Sequence, residues 1–167
     1  MKKYALFLIL AVLLLTAGCA KGAHVPVQTA PPETIATQPA QAENPLDAYM
    51  DSLREQSDRI KSSLEQDPLT QADMNAKSQE LYKLWDDALN HLWGELKATL
   101  PENEFAELLT DQRAWITAKE DAVAAAGKEV QGGSLYPLVV NSTAADITEV
   151  RVYELYEILK QSGDTYV

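Results

Sequence analysis

Apolar residues beyond residue 44 recur with the spacing of an α-helix. Between residues 71 and 99, large apolar side chains follow one another mostly at steps of three and four, which places them on one helical face. This stripe consists of Met74, Leu81, Trp85, Ala88, Leu89, Leu92 and Leu96, with Leu100 just beyond it. Because Thr70 and Asp73 resemble a capping box, we predict a long amphipathic helix from Gln71 to Thr99.

Two more helices are predicted on either side of this one. The first runs from about residue 45 to 66, where Asn44 can cap the helix and Pro45 suits its first turn. The third runs from about residue 102 to 130 and follows Pro101 directly. The link at Pro101 is short, so the second and third helices should lie antiparallel to each other.

A fourth helix is predicted after a glycine turn. Gly132 and Gly133 end the third helix, since either glycine can adopt the left-handed conformation. Ser134 can then cap a last helix that tolerates Pro137 in its first turn. The sequence therefore predicts an all-α fold for residues 45–167. It is a small bundle made of a long antiparallel hairpin, a returning C-terminal helix and an N-terminal covering helix.

The first 18 residues have the three parts of an export signal. Lys2 and Lys3 are followed by an apolar run from Ala5 to Leu15 and by the small residues of Thr16-Ala17-Gly18. A helix that spans a bilayer needs about 20 apolar residues, and this run is shorter. We therefore expect residues 1–18 to be a cleaved signal peptide, with an uncleaved anchor helix as the alternative.

Cys19 is the expected site of lipid attachment. Leu15-Thr16-Ala17-Gly18-Cys19 resembles the lipobox of bacterial lipoproteins, although Thr16 stands where Leu is commonest. The alternative is a secreted protein whose lone cysteine happens to lie beside the cleavage point. Residues 19–44 are rich in Pro, Ala and Thr, which predicts a flexible tether. Ala20 replaces the Asp of inner-membrane retention signals, so a Gram-negative host would place the protein on the outer membrane, facing the periplasm.

The charge of the chain bears on its partners. Twenty-five acidic and 14 basic residues give a formal net charge of −11, which repels nucleic acid and attracts cationic partners. The sequence gives little support for enzymatic chemistry. Its two histidines, His24 and His91, are not accompanied by the motif of a serine nucleophile, and they do not belong to a His/Cys cluster with the spacing of metal ligands. We predict a protein that is not an enzyme and that needs no cofactor or metal.

Seven side chains do not fit a plain amphipathic bundle. They are Asn90 and Trp93 on the second helix, Gln112, Arg113 and Trp115 on the third, and Thr148 and Arg151 on the last. Polar groups beside an apolar stripe must find partners, since a buried unsatisfied amide costs about 1–3 kcal/mol. These residues either line a shared recognition site or form a polar network that fixes helix packing.

The same positions resemble the motifs of the LprI-like lysozyme inhibitor family. Asp87-Ala88-Leu89-Asn90 with Trp93, Gln112-Arg113-Ala114-Trp115-Ile116, Gly132-Gly133-Ser134 with Pro137-Leu138, and Thr148 with Arg151 and Leu155 follow its order and spacing. The resemblance runs from about residue 72 to 160. The resemblance implies two cysteines joined by a disulfide where this chain has Val123 and Thr143, so this chain lacks that disulfide.

The resemblance implies a domain that binds and blocks a cationic lysozyme at the cell envelope. Aromatic side chains that could anchor such a contact are Trp93, Tyr136, Tyr153 and Tyr156, provided that they are exposed. The alternative is an envelope structural or adaptor lipoprotein that binds another envelope protein and inhibits nothing.

Overall fold

The structure, a computed structural model, describes residues 44–65 and 68–165. The helices are α1 (Pro45–Leu64), α2 (Gln71–Thr99), α3 (Glu102–Gly127) and α4 (Tyr136–Thr165), and a 3-10 turn spans Lys128–Val130. No strand occurs in these two ranges, and the predicted all-α fold is confirmed. The predicted signal peptide, Cys19 and the tether up to residue 43 lie outside the described residues.

The starts of α1 and α2 follow the predicted capping chemistry. The side chain of Asn44 accepts a hydrogen bond of 3.0 Å from the backbone N–H of Leu46. In the capping box of α2, the N–H of Asp73 donates to Thr70 Oγ1 at 3.2 Å, and the N–H of Thr70 donates to Asp73 Oδ2 at 3.1 Å. These bonds satisfy backbone donors that have no partner within the helix.

The connection between α3 and α4 differs from the prediction. Helix α3 ends at Gly127, and α4 begins at Tyr136 rather than directly after Ser134. The carbonyl of Ser134 instead accepts a hydrogen bond of 3.1 Å from the side chain of Asn75 on α2. The first helical bond, from Val139 N–H at 3.0 Å, is accepted by Leu135. The helix therefore starts one residue later than expected, and Ser134 lies in the turn, where its carbonyl contacts α2.

Helices α2 and α4 form the centre of the bundle and run parallel to each other. Asn75 meets Ser134 near the start of both helices, and further along the rings of Trp85 and Tyr153 lie 5.9 Å apart. The buried apolar residues of α2 are Leu81, Trp85, Ala88, Leu89, Leu92 and Leu96, and α4 adds Ala144, Ala145, Val152 and Leu155. The predicted apolar face of α2 and one face of α4 therefore form most of the core.

Helix α3 is antiparallel to the central pair, as the predicted hairpin requires. Near the start of α3, the ring of Phe105 lies 5.1 Å from that of Trp93 at the end of α2. Further along α3, Lys119 donates a long hydrogen bond of 3.4 Å to the hydroxyl of Tyr82, which is nearer the start of α2.

Helix α1 covers the other side of the pair. The ring of Tyr49 on α1 meets His91 of α2 at 4.7 Å, only two residues before Trp93, which meets α3. Residues two apart point to nearly opposite sides of a helix, so α1 and α3 approach α2 from different sides, and α3 packs mainly along α4. An ion pair of 2.7 Å between Lys61 and Glu149 fastens the end of α1 to α4.

We expect Ser57 to lower the free energy of unfolding of the bundle. It interrupts the apolar stripe of α1, is only 1% exposed, and its hydroxyl has no hydrogen-bond partner. Ser57→Ala removes this unpaired group and adds helix propensity, so we expect the free energy of unfolding to rise by about 1 kcal/mol. Chemical denaturation of both variants measures it, with exposed Ser62→Ala in the same helix as the control. An equal gain from Ser62→Ala would show that propensity alone acts.

The start of α1 is held to α4 by a pH-sensitive cluster. Tyr156 donates to Asp47 at 2.5 Å, and Lys160 donates to Asp47 at 3.1 Å and to the Tyr156 hydroxyl at 2.9 Å. The bond from Tyr156, followed by that from Lys160, lowers the pKa of Asp47 below its ordinary value. The bonds with Tyr156 and then Asp47 raise the pKa of Lys160.

This cluster predicts how stability depends on pH. A lowered carboxyl pKa stabilises the fold above the ordinary value near pH 4, and this contribution is lost as pH falls through the lowered one. We therefore expect Asp47→Asn to lose less stability than the unmodified chain between pH 6 and about 2. Thermal unfolding across that range measures the loss, with Asp58→Asn as an exposed control on α1. If Asp47→Asn lost as much stability as the unmodified chain at acidic pH, Asp47 would not be the source of this pH dependence.

Candidate functional site

Arg151 is the centre of a polar cluster between α3 and α4. Its side chain is 7% exposed, and its Nε donates to Gln112 Oε1 at 2.9 Å. Its two terminal nitrogens donate to Asp111 at 2.6 Å and to Glu154 at 2.8 Å. The cluster therefore pairs two side chains singled out from the sequence, Arg151 and Gln112, with two carboxylates that were not.

Pairing with Arg151 could be predicted from the sequence for one of the two carboxylates but not for the other. Glu154 lies three residues after Arg151 on α4, a spacing at which side chains of a helix meet. Asp111 is 40 positions away in sequence and reaches Arg151 only through helix packing. Since Asp111 and Glu154 are 62% and 53% exposed, water screens their attraction to Arg151. The buried bond to Gln112 is the more protected part of the cluster.

Trp115 extends this cluster toward α2. The guanidinium of Arg151 lies 5.9 Å from the Trp115 ring centroid, and the ammonium of Lys119 lies 5.1 Å from the same centroid. Lys119 is also 5.4 Å from the ring of Tyr82 on α2. Cations at such distances are attracted to aromatic faces. Trp115 therefore contacts Arg151 of α4, and Lys119 links it to Tyr82 of α2.

The remaining predicted site residues do not bond to Arg151. Thr148 is fully buried, and its hydroxyl donates to the carbonyl of Ala144 at 2.7 Å. Asn90 donates to the Asp86 carbonyl at 2.9 Å on its own helix. Arg113 is exposed, and Trp93 is half-buried against Phe105. The seven residues thus do not form one continuous site.

The four candidate aromatic anchors differ in exposure. Tyr136 is exposed, with 39% of its surface accessible. Trp93 packs on Phe105, Tyr153 on Trp85, and Tyr156 bonds to Asp47, and all three are half-buried. Tyr136 is therefore the one of the four that is best placed for contact with another molecule.

Two surface clefts add to the candidate surfaces. The larger, of about 610 Å³, lies between the start of α1 and the ends of α2 and α4, where Tyr49, His91 and Lys160 contribute to its walls. A groove of about 380 Å³ between α3 and α4 has apolar residues as its floor and carboxylates at its rim. Its lining is Leu100, Glu104, Glu107, Leu108, Asp111 and Ile158. The groove borders the Arg151 cluster through Asp111 and suits a basic group.

Within residues 44–65 and 68–165, no group of three or more His, Cys, Asp or Glu side chains is arranged to hold a metal ion. No helix in that part of the chain is long and apolar enough to cross a bilayer.

Comparison with known proteins identifies relatives of the helical domain. The model of the family described as "Lysozyme inhibitor LprI" matches residues 62–155, which is more than half of the chain. An uncharacterized protein of Rhizobium meliloti (strain 1021) is 26% identical over 107 residues, covering 56% of this chain and 77% of that protein. No solved structure matches the chain significantly.

Arg151 and Arg113 provide a matched pair for separating packing from surface chemistry. Arg151→Ala leaves the buried oxygen of Gln112 without its donor, so we expect unfolding free energy to fall by about 2 kcal/mol. Arg113→Ala changes an exposed side chain and should alter it by less than about 0.5 kcal/mol. Denaturant titration of both variants is the measurement. Equal losses would show that the Arg151 cluster does not stabilise the bundle.

Proposed function

The chain belongs to the LprI family of lysozyme inhibitors, and from this premise we propose that its helical domain binds a cell-wall muramidase and blocks it outside the cytoplasm. The family match carries the proposal. It spans α2, α3 and α4 as far as Leu155, and so includes the Arg151 cluster and the glycine turn.

The charge of the chain supports a cationic target. A net charge of −11 accelerates encounter with a basic enzyme, because opposite charges steer diffusing proteins together. Acidic side chains also line the groove beside Arg151, where Glu107 and Asp111 are one helical turn apart on α3.

An inhibitor needs only to bind its target, and the carboxylates beside Arg151 fit a binding protein better than a glycosidase. Asp111, which lines the groove, and Glu154 are both hydrogen-bonded to Arg151. A glycosidase needs one carboxylic acid that donates a proton and a second carboxylate across the scissile bond. Here both carboxylates are instead bound to one guanidinium. A binding protein that is not an enzyme is consistent with membership of an inhibitor family.

We propose that lipid on Cys19 anchors this inhibitor to the cell envelope. The supporting evidence is the apolar run before Leu15-Thr16-Ala17-Gly18-Cys19 and the Pro-rich residues 19–44 that lead to α1. Two or more acyl chains anchor a protein stably where one does so weakly. The tether would let the bundle meet an enzyme approaching the wall, in the periplasm if the host is Gram-negative.

The proposal predicts direct inhibition by the full chain purified in mild detergent. We expect it to slow the loss of turbidity when lysozyme digests a cell-wall suspension, by at least tenfold when the chain is in excess. The effect should persist at physiological salt, where the Debye length of about 8 Å weakens purely electrostatic association.

The control is an unrelated acidic helical protein of similar net charge. It should bind lysozyme at low salt and lose its effect as salt rises. Absence of protection by this chain at every ratio and salt concentration would exclude lysozyme inhibition. A stable envelope partner recovered by pull-down would then favour an adaptor lipoprotein.

A further inference from the structure

The turn between α3 and α4 exposes two adjacent apolar side chains. Leu135 is 45% exposed and Tyr136 is 39% exposed. The other large apolar side chains with comparable exposure in the described residues are Ile116 and Val150, which lie singly on helix flanks. We call Leu135, Tyr136 and the turn residues 131–134 the apolar tip.

The backbone of the apolar tip is held in one conformation. Gly132 has a φ of +78°, in the left-handed region that a side chain would strain. Gly133 donates to the Val130 carbonyl at 3.0 Å, and Tyr136 donates to the Gly133 carbonyl at 3.1 Å. The bond from Asn75 to Ser134 ties the turn to α2. Such a turn loses little conformational entropy on binding.

The ring of Tyr136 is also positioned by α3. A Cβ at Gly127 would lie 2.8 Å from the Tyr136 ring and 2.8 Å from Val140, so only glycine lets the ring approach this closely. The same ring borders a groove of about 350 Å³ that Lys119 and Val123 also line. One side of Tyr136 is therefore packed against α3 and the rest is open to a partner.

The fold gains little from apolar character at Leu135. Polar residues are usual in turns, and burial of a leucine stabilises only in proportion to the area removed from water. An exposed apolar patch on a rigid support is typical of a protein-binding surface, where aromatic residues contribute most to affinity.

We propose that the apolar tip enters the saccharide-binding cleft of the muramidase. This inference rests on the proposed function, and it names the part of the inhibitor that contacts the enzyme. An enzyme that cleaves a polysaccharide holds it in a concave cleft, and the narrow end of a helical bundle fits such a cleft better than its flanks do. The tip also lies at the end of the bundle opposite the start of α1.

Leu135→Ser and Val150→Ser test the proposal as a matched pair in the full chain. Both replace an exposed apolar side chain by serine, and thermal unfolding by circular dichroism establishes that both variants fold. We expect Leu135→Ser to weaken lysozyme binding at least tenfold by calorimetry, and Val150→Ser to change it less than twofold. We also expect a trimer of N-acetylglucosamine, which occupies the enzyme's cleft, to compete with the unmodified chain.

The outcomes separate this inference from the function on which it rests. If the unmodified chain inhibits but Leu135→Ser binds equally well, the apolar tip is not the contact and inhibition stands. If the unmodified chain inhibits without competition from the saccharide, the inhibitor acts outside the cleft and the proposal is wrong. If the unmodified chain neither binds nor inhibits, the proposed function fails and this inference fails with it.

Discussion

Burial of the Arg151 guanidinium constrains how α3 and α4 can pack. A charged group with 7% of its side chain exposed needs partners for its donors, and here they come from Gln112 and Asp111 on α3 and from Glu154 on α4. A shift of α3 by one residue would carry Gln112 away from Arg151 and leave buried polar groups unpaired. The cluster thus favours a single register between the two helices.

That register determines where the connection between the helices lies. With Gln112 opposite Arg151 in an antiparallel pair, Gly127 lies beside Tyr136 at the end of the bundle. The missing side chain of Gly127 lets the Tyr136 ring pack against α3, while Gly132 turns the chain and Asn75 holds Ser134. Contacts in the middle and at the end of α3 therefore act together to position the exposed part of the turn.

Local signals made much of the fold predictable, whereas contacts distant in sequence did not. Helix period and the caps at Asn44 and Thr70 correctly predicted the starts of α1 and α2, since these bonds lie within three residues. The start of α4 was placed one residue too early, and the bond from Asn75, 59 positions away, to the Ser134 carbonyl could not be predicted from the local sequence. In the candidate site, Gln112 and Arg151 stood out as polar groups beside apolar stripes. Asp111 did not, because nothing local to its helix marks it as a partner of Arg151.

The missing pair of cysteines makes these noncovalent contacts more important in this chain. Where the family resemblance implies a pair of cysteines, this chain has Val123 on α3 and Thr143 on α4. A disulfide closing a loop of that size would contribute roughly 3 kcal/mol of stability. Without it, the α3–α4 connection depends on the Arg151 cluster, the Gly127–Tyr136 contact and the Asn75–Ser134 bond. Binding through the apolar tip would then depend on the same interactions that stabilise the bundle. A substitution in the Arg151 cluster should therefore weaken both together, whereas one at Leu135 should affect binding alone.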